Sequence, residues 1–439
     1  MQPKKIDLLL HCRWLIPIIP ENQVMEDCSI AINAGRIVDL LPKSQARQQF
    51  SATEEVVLDR HMVMPGLVNA HCHSAIRLLR GRSDDLPFQA WLEKHTCSTE
   101  SLLTDPDFIR DSSALAIAEM IKTGTTCFAE MYCFSELIVD VIRNAGIRSQ
   151  LSFAVHDGPT PYAKDASEHI HRGLTLYDNM GNHPLIKVAC APQAPNNISD
   201  TVMKQLATFA NELDLPVHIH CHENASEIAE SLTKWGCRPL QRLNDTGLLL
   251  PQTQLVHMTQ ISPEDKALLE QTNSSVIHCP EANLKLANGF CPVTQLTQAG
   301  INVGLGTEGA ASNNDLDLFG ELKTACLVAK AVGGDTQALS AHSALRLATI
   351  NGARALGWDR EIGSLEVGKY ADIIALEIDS IAQQPLYNPA SQLVYGQSGS
   401  QVTHSWVAGQ SLLMDKKLLA LNERNLIQSA KDWGSKIAG

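Results

Sequence analysis

Eight short apolar runs alternate with longer amphipathic segments through the middle of this chain, and no other feature constrains its fold as much. The runs are GLVNAH (66–71), GTTCFAEM (124–131), IRSQLSFAV (147–155), LIKVACA (185–191), PVHIH (216–220), TQLVHM (253–258), SSVIHC (274–279) and INVGLGT (301–307). Between them, DFIRDSSALAIAEMIKTG (107–124) sets Ile109, Leu115, Ile117 and Met120 at roughly helical spacing before a glycine stop. SDTVMKQLATFANELD (199–214) offers Ser199 as an N-cap. Alternation of strand and helix favours a parallel sheet, and eight units favour a closed (β/α)8 TIM-type barrel over an open sheet. A doubly wound sheet would want a G-x-G-x-x-G turn after an early strand, and none is present.

The two ends do not follow this pattern. Short β-like runs such as IDLLLHCRWLI, SIAINAGRIVDLL and EEVVLD fill residues 5–60, and YADIIALEI and VTHSWVAGQSLLM fill 370–415. The expected fold class is therefore α/β. A barrel spans 61–369, and a small β-sandwich domain is built jointly from 1–60 and 370–439, with a terminal helix over 420–438.

Composition narrows the function classes. At 439 residues, 44% of them apolar, the chain is globular and can bury a large core. A net charge of −13 with no basic block argues against a nucleic-acid partner, because phosphate binding needs clustered Lys and Arg. The apolar stretch near the start is broken by His11, Cys12 and Arg13 and is too short to span a membrane. Twelve cysteines without C-x-x-C pairs suggest reduced thiols and a cytoplasmic protein.

Barrel enzymes carry their chemistry at the C-terminal ends of the strands. The first run ends in His71-Cys72-His73, and residues two apart on a strand face the same way. The fifth reads His218-Ile219-His220-Cys221-His222-Glu223, expected to put three histidines on one face ahead of an acid. The sixth reaches His257, the seventh His278 and the eighth Glu308. Imidazoles with one carboxylate suit a divalent ion, zinc above all, with iron or manganese as alternatives. Taken singly, His218 and His278 read as ordinary hydrogen-bonded residues; five coincident strand ends do not. Cys72 and Cys221 alternate away as packing residues, and His169, His171 and His183 are read as surface residues. A closed structural zinc site would not need the adjacent Glu223.

The segments PGLVNAHCH (65–73), HIHCHE (218–223), LVHM (255–258), HCPEANLKLANG (278–289), GTEGAASNNDLDLFGE (306–321) and GSLEVGKYADIIAL (363–376) resemble the amidohydrolase superfamily. Within it they are most similar to the 5′-methylthioadenosine/S-adenosylhomocysteine deaminases and the related triazine hydrolases. The resemblance implies one divalent metal, most often Zn2+, on His71, His73, His220 and Glu308. It implies hydrolytic deamination of a 5′-substituted adenosine by a metal-activated water, with attack at C6 of the adenine ring and release of ammonia. Glu223 would move a proton to the ring nitrogen and then to the leaving amine, His257 would orient the attacking oxygen, and Glu100 would contact the ribose hydroxyls. A small-molecule nucleoside substrate and a homo-oligomer are carried over from the same resemblance.

Two positions depart from the family pattern. Glu308, one methylene longer, stands where the family has an Asp that binds the metal and also takes the proton from the metal-bound water, and Gln193 stands where it usually has His in contact with substrate. Ser312 and Asn313 are expected to fix the loop after Glu308 without touching substrate. The alternatives are a hydrolase of another amino- or chloro-substituted heterocycle (guanine, a pterin or a triazine), or a catalytically weakened barrel that only binds a nucleoside or a protein partner.

Overall fold

A computed structural model describes residues 2–82, 84–85, 100–396 and 398–438. Its centre is a parallel sheet of eight strands: β5 (Leu67–Cys72), β6 (Thr125–Tyr132), β7 (Arg148–Val155), β8 (Ile186–Pro192), β9 (Val217–Cys221), β10 (Thr253–His257), β11 (Ser275–His278) and β12 (Val303–Leu305). They pair in sequence order from β5 to β12. Just beyond β12 the ring comes round to its start, where Thr307 N donates to His71 O at 3.0 Å and a parallel bridge joins Glu308 to Cys72. This approach requires a bare backbone: a Cβ on Gly306 would lie 2.8 Å from both the Cβ and the carbonyl oxygen of His71. Every expected run overlaps one of these strands.

The helices between the strands follow their local signals. The helix Pro106–Lys122 starts on Asp105, whose side chain accepts from Asp107 N and Phe108 N, with proline at its first turn. Ser199 caps Asp200–Glu212 by accepting from Val202 N. One apolar core joins both layers, with Phe128 and Phe153 from strands and Met120 and Met203 from helices all buried. That burial is the main stabilising contribution, at about 25 cal/mol per Å2 of apolar area.

A second sheet of eight strands draws on both chain ends. It contains β1 (Lys4–Leu15), β2 (Met25–Asn33), β3 (Arg36–Pro42), β4 (Phe50–Pro65), β13 (Ile373–Glu377), β14 (Val402–Val407), β15 (Gln410–Met414) and β16 (Lys417–Leu418). The strand order is β16-β15-β14-β13-β4-β1-β2-β3, so the two ends meet where β13 pairs antiparallel with β4. The expected sandwich is thus one continuous hydrogen-bonded sheet, and Leu10, Ile30, Leu58, Ile373 and Trp406 share a core on it. The terminal helix runs Glu423–Ala438.

One expectation about histidines is corrected here. His171 is exposed and His183 half-buried, but His169 is buried. It lies on the inner side of the helix Ala166–Met180, with its Nε2 3.1 Å from Thr160 Oγ1 and its ring against His156 and Tyr162. Helical phase, not polarity, decides its placement.

Candidate active site

The ends of β5, β9, β10 and the segment after β12 converge on one rim. Alternation along β5 sends His71 and His73 inward, while Cys72 packs away in the core. His220 on β9 joins them. Past the strand ends the backbone turns left-handed at His222 (φ 53°), His257 (φ 78°) and Glu308 (φ 60°). Such turns cost about 1–3 kcal/mol each in residues other than glycine and tend to be kept where a side chain has to be aimed. At Glu308 the turn delivers the carboxylate to the histidines. At His222 it takes the ring out of the site: Nε2 accepts from Leu240 N at 3.1 Å, and Nδ1 lies 3.7 Å from Asp265. The fifth run therefore brings one histidine, His220, to the donor group, not three: His218 sits behind His71 and His222 is turned away.

His71, His73, His220 and Glu308 offer donor atoms that all lie within 4.8 Å of one another. Glu308 Oε1 is 2.8 Å from His71 Nε2, 3.3 Å from His73 Nε2 and 3.4 Å from His220 Nε2, and the Nε2 atoms of His71 and His220 are 3.3 Å apart. Donors sharing one tetrahedral ion at bond lengths of about 2.0–2.2 Å stand about 3.3 Å apart. The extra methylene of glutamate is taken up by the turn at 308, where Oε2 accepts from Gly309 N at 3.0 Å and from Ser312 Oγ at 2.7 Å. Asn313 donates to Thr307 O and Glu321 Oε1, which fixes the loop, and Ser312, which also lines the adjoining cavity, holds the acid itself.

The hydrogen-bond chain behind His71 tests the fit to a cation. The side chains of Gln150 and Gln254 form a reciprocal amide pair, and Gln254 Nε2 also donates to Ala355 O. This orients Gln254 Oε1 as an acceptor toward His218 Nδ1 at 2.5 Å, so His218 Nε2 is the acceptor facing His71 Nδ1 at 2.7 Å. Burial holds the His71 imidazole well below its usual range, so it is neutral, and with its proton on Nδ1 the Nε2 is bare. A bare nitrogen 2.8 Å from a carboxylate oxygen calls for a cation between them. Burial pushes the Glu308 carboxyl up, but facing His73 and the imidazole contacts outweigh it and hold the acid well below the usual carboxylate range. A neutral imidazole beside an anionic carboxylate is the donor chemistry a divalent ion needs.

A cavity of about 550 Å3 opens onto this cluster, within the usual range for small-molecule sites of about 300–1,000 Å3. Glu223 and His257 line it, with His257 Nε2 4.0 Å from Glu223 Oε1 and 3.7 Å from Glu308 Oε1. Burial raises the Glu223 carboxyl above its ordinary value and lowers the His257 imidazole. Gln193 also lines the cavity; its carbonyl faces His220 Nδ1 at 3.1 Å, and its side-chain oxygen accepts from Asn197. Glu100 opens the short helix Glu100–Leu103, and its side chain lies outside the described residues. His278 is buried behind His257, pushed down to about 3 by burial, and stays outside the donor group.

Sequence reasoning missed the groups that hold these side chains. Asn283 Oδ1 lies 2.9 Å from His257 Nδ1, and Asn288 Nδ2 donates to Glu223 Oε1 at 3.0 Å. Both asparagines lie in HCPEANLKLANG, just past a strand end, which was the available signal. Cys133 and His156, also missed, line the cavity.

A parallel barrel that gathers three imidazoles and a carboxylate at one rim, beside a half-buried acid and a buried histidine, defines the class: a hydrolase built around a metal-binding cluster. The amidohydrolase family model matches residues 62–412, and the chain belongs to that family, hydrolases acting on carbon–nitrogen bonds. A relative from Teredinibacter turnerae, named 5-methylthioadenosine/S-adenosylhomocysteine deaminase, is 46% identical over 98% of this chain and 98% of its own. The crystal structure of an adenosine deaminase from Xanthomonas campestris with bound zinc matches with a TM-score of 0.98 at 42% identity, covering 99% of each chain. Atrazine chlorohydrolase from Arthrobacter aurescens, complexed with zinc, shares the fold with a TM-score of 0.90 at 22% identity, covering 97% of this chain and 99% of its own. Among the described residues no helix is long and apolar enough to cross a membrane.

Proposed function

We propose that this chain hydrolytically deaminates 5′-substituted adenosines, with 5′-methylthioadenosine and S-adenosylhomocysteine as the candidate substrates. The observation that carries the reading is the meeting of two sets at one cavity: a cation-ready cluster and, beside it, Glu223 and His257. Full-length similarity to a relative named for these substrates supports it.

His71, His73, His220 and Glu308 would hold the divalent ion, zinc first. When bound, such an ion acts as a Lewis acid that brings the pKa of water toward neutrality. Glu223 would carry one proton from the attacking water to the ring nitrogen of the purine and the second, from the hydroxyl then on C6, to the leaving amine, so that ammonia departs as the C6 carbonyl forms. Burial raises that carboxyl above its ordinary value, the direction that suits a group which must hold a proton as well as release it. His257, kept neutral by burial, presents Nε2 to the attacking water and orients it. Gln193 meets the substrate from the cavity wall and, through its carbonyl, orients His220. Glu100 is assigned to the ribose hydroxyls, two of which one carboxylate can accept.

The test is ammonia release from 5′-methylthioadenosine by the zinc-loaded protein, with Glu308→Asp run in parallel. Turnover by the parent, raised less than about tenfold by Asp, bears the reading out with Glu308 as a competent ligand. Activity in the Asp variant alone would remove Glu308 from the ligand set, and silence from both would end the deaminase reading.

A further inference from the structure

We infer that Asn283 and Asn288 are paired positioning residues, one accepting and one donating, that set the two groups handling the proton. The inference rests on the reaction proposed above. Both side chains are buried, at 2% and 5% exposure, and they sit on a single segment: the helix Pro280–Lys285 and the turn after it. Asn283 Oδ1 lies 2.9 Å from His257 Nδ1. If it accepts the Nδ1 proton, a neutral His257 has a bare Nε2 facing the cavity, able to receive a hydrogen bond from the attacking water. Asn288 does the opposite. Its Nδ2 donates to Glu223 Oε1 at 3.0 Å, which fixes one carboxylate oxygen and leaves the other to exchange the proton.

The backbone that carries both amides is held in place. Asn288 N donates to Asn283 O at 2.9 Å, closing the turn on itself. Gln260 Nε2 donates to Asn288 O at 3.1 Å, and Thr259 N donates to His222 O at 2.9 Å. These contacts staple the loops that follow β9, β10 and β11 to one another. Gly289 has φ 120°, a conformation that residues with side chains rarely adopt, and a Cβ there would also push against Gln260 Nε2 at 2.7 Å. A change in this segment therefore reaches Glu223 and His257 together, although they stand on different strands.

The acceptor and donor roles predict opposite responses to the same isosteric change. In zinc-loaded protein acting on 5′-methylthioadenosine, Asn283→Ala and Asn288→Ala each lower kcat by about 10²-fold, the scale of a misplaced catalytic group, with KM little changed. Asn283→Asp recovers about tenfold of that loss, because a carboxylate oxygen still accepts from Nδ1. Asn288→Asp falls below Asn288→Ala, because it removes the donor and sets a second negative charge against Glu223. Equal behaviour of the two Asp variants would overturn the inference. A second measurement is independent of turnover: 15N spectra of histidine-labelled parent protein, with His257 identified by the signal missing from His257→Gln. A neutral ring protonated at Nδ1, redistributed in Asn283→Ala, supports the assignment. A proton on Nε2 sinks it, since the Asn283 amide would then face the other way. A parent that shows the Nδ1 proton and releases no ammonia would end the proposed reaction while leaving the positioning of His257 standing.

Discussion

Ser312 Oγ donates to Glu308 Oε2 at 2.7 Å, and that contact turns the other oxygen of Glu308 toward His71, His73 and His220. The serine lies four residues after the acid in the same loop, and it supplies the restraint that a longer side chain needs. With Gly309 N on the same oxygen, Glu308 has one oxygen committed to the loop and one free for a cation.

Ser312→Ala should therefore lower zinc affinity by about 10–100-fold, the usual cost of losing a partner behind a metal ligand. Competition against a chelating dye measures it, with the thermal midpoint of the metal-free protein as control. Unchanged affinity would show that Gly309 N alone holds the carboxylate.

A second prediction concerns the chain behind His71. His218→Phe removes the acceptor for His71 Nδ1 and leaves Gln254 Oε1 without its imidazole donor. Zinc affinity should again fall about 10–100-fold. A buried unpaired donor adds a stability cost of about 1–3 kcal/mol, read from urea unfolding.

A third concerns pH. Burial raises the Asp317 carboxyl from its ordinary 3.8 to about 7, where it accepts from Phe319 N at 2.9 Å. The folded protein then keeps this group neutral while the unfolded chain ionises it above about pH 4. The resulting penalty is absent below pH 4, grows between about 4 and 7, and is complete above 7. Asp317→Asn keeps the cap acceptor without the ionisation. It should raise stability at pH 8 by up to about 4 kcal/mol, at 1.36 kcal/mol per pKa unit, and leave stability at pH 4 nearly unchanged. Equal effects at both pH values would refute the assignment.

The fourth tests how the two sheets are joined. Arg148, at the start of β7, makes a forked pair with Asp372, just before β13, at 2.9 and 3.2 Å, and both side chains are almost fully buried. Asp372 also accepts from Ala408 N at 2.8 Å. Asp372→Ala leaves a buried guanidinium unpaired and should cost about 3–5 kcal/mol by urea unfolding. Arg148→Met combined with Asp372→Leu should cost less than the single change.

What the sequence alone determined was local in character. Period-two alternation aims His71 and His73 inward and Cys72 away, so that pair was legible from the strand itself. Eight alternating units implied the barrel, and barrel geometry located the chemistry at the strand ends. The pairing of both chain ends was legible as strand-like runs, though the single sheet joined at β4 and β13 was not.

Tertiary structure decided the rest, because the deciding contacts join residues far apart in the chain or depend on backbone turns with no periodic signal. His222 shares the alternation of His218 and His220, yet a left-handed turn takes it to Leu240 and Asp265. His169 looked polar and exposed, and helix packing buried it. Asn283 and Asn288 carry no chemistry of their own. They matter because β11 lies next to β10 and β10 next to β9, which brings the loop after β11 against His257 and Glu223. Whether Glu308 could reach the histidines was likewise undecidable from its residue type. The turn at 308 and the hydroxyl of Ser312 decide it, since together they set where the extra methylene goes.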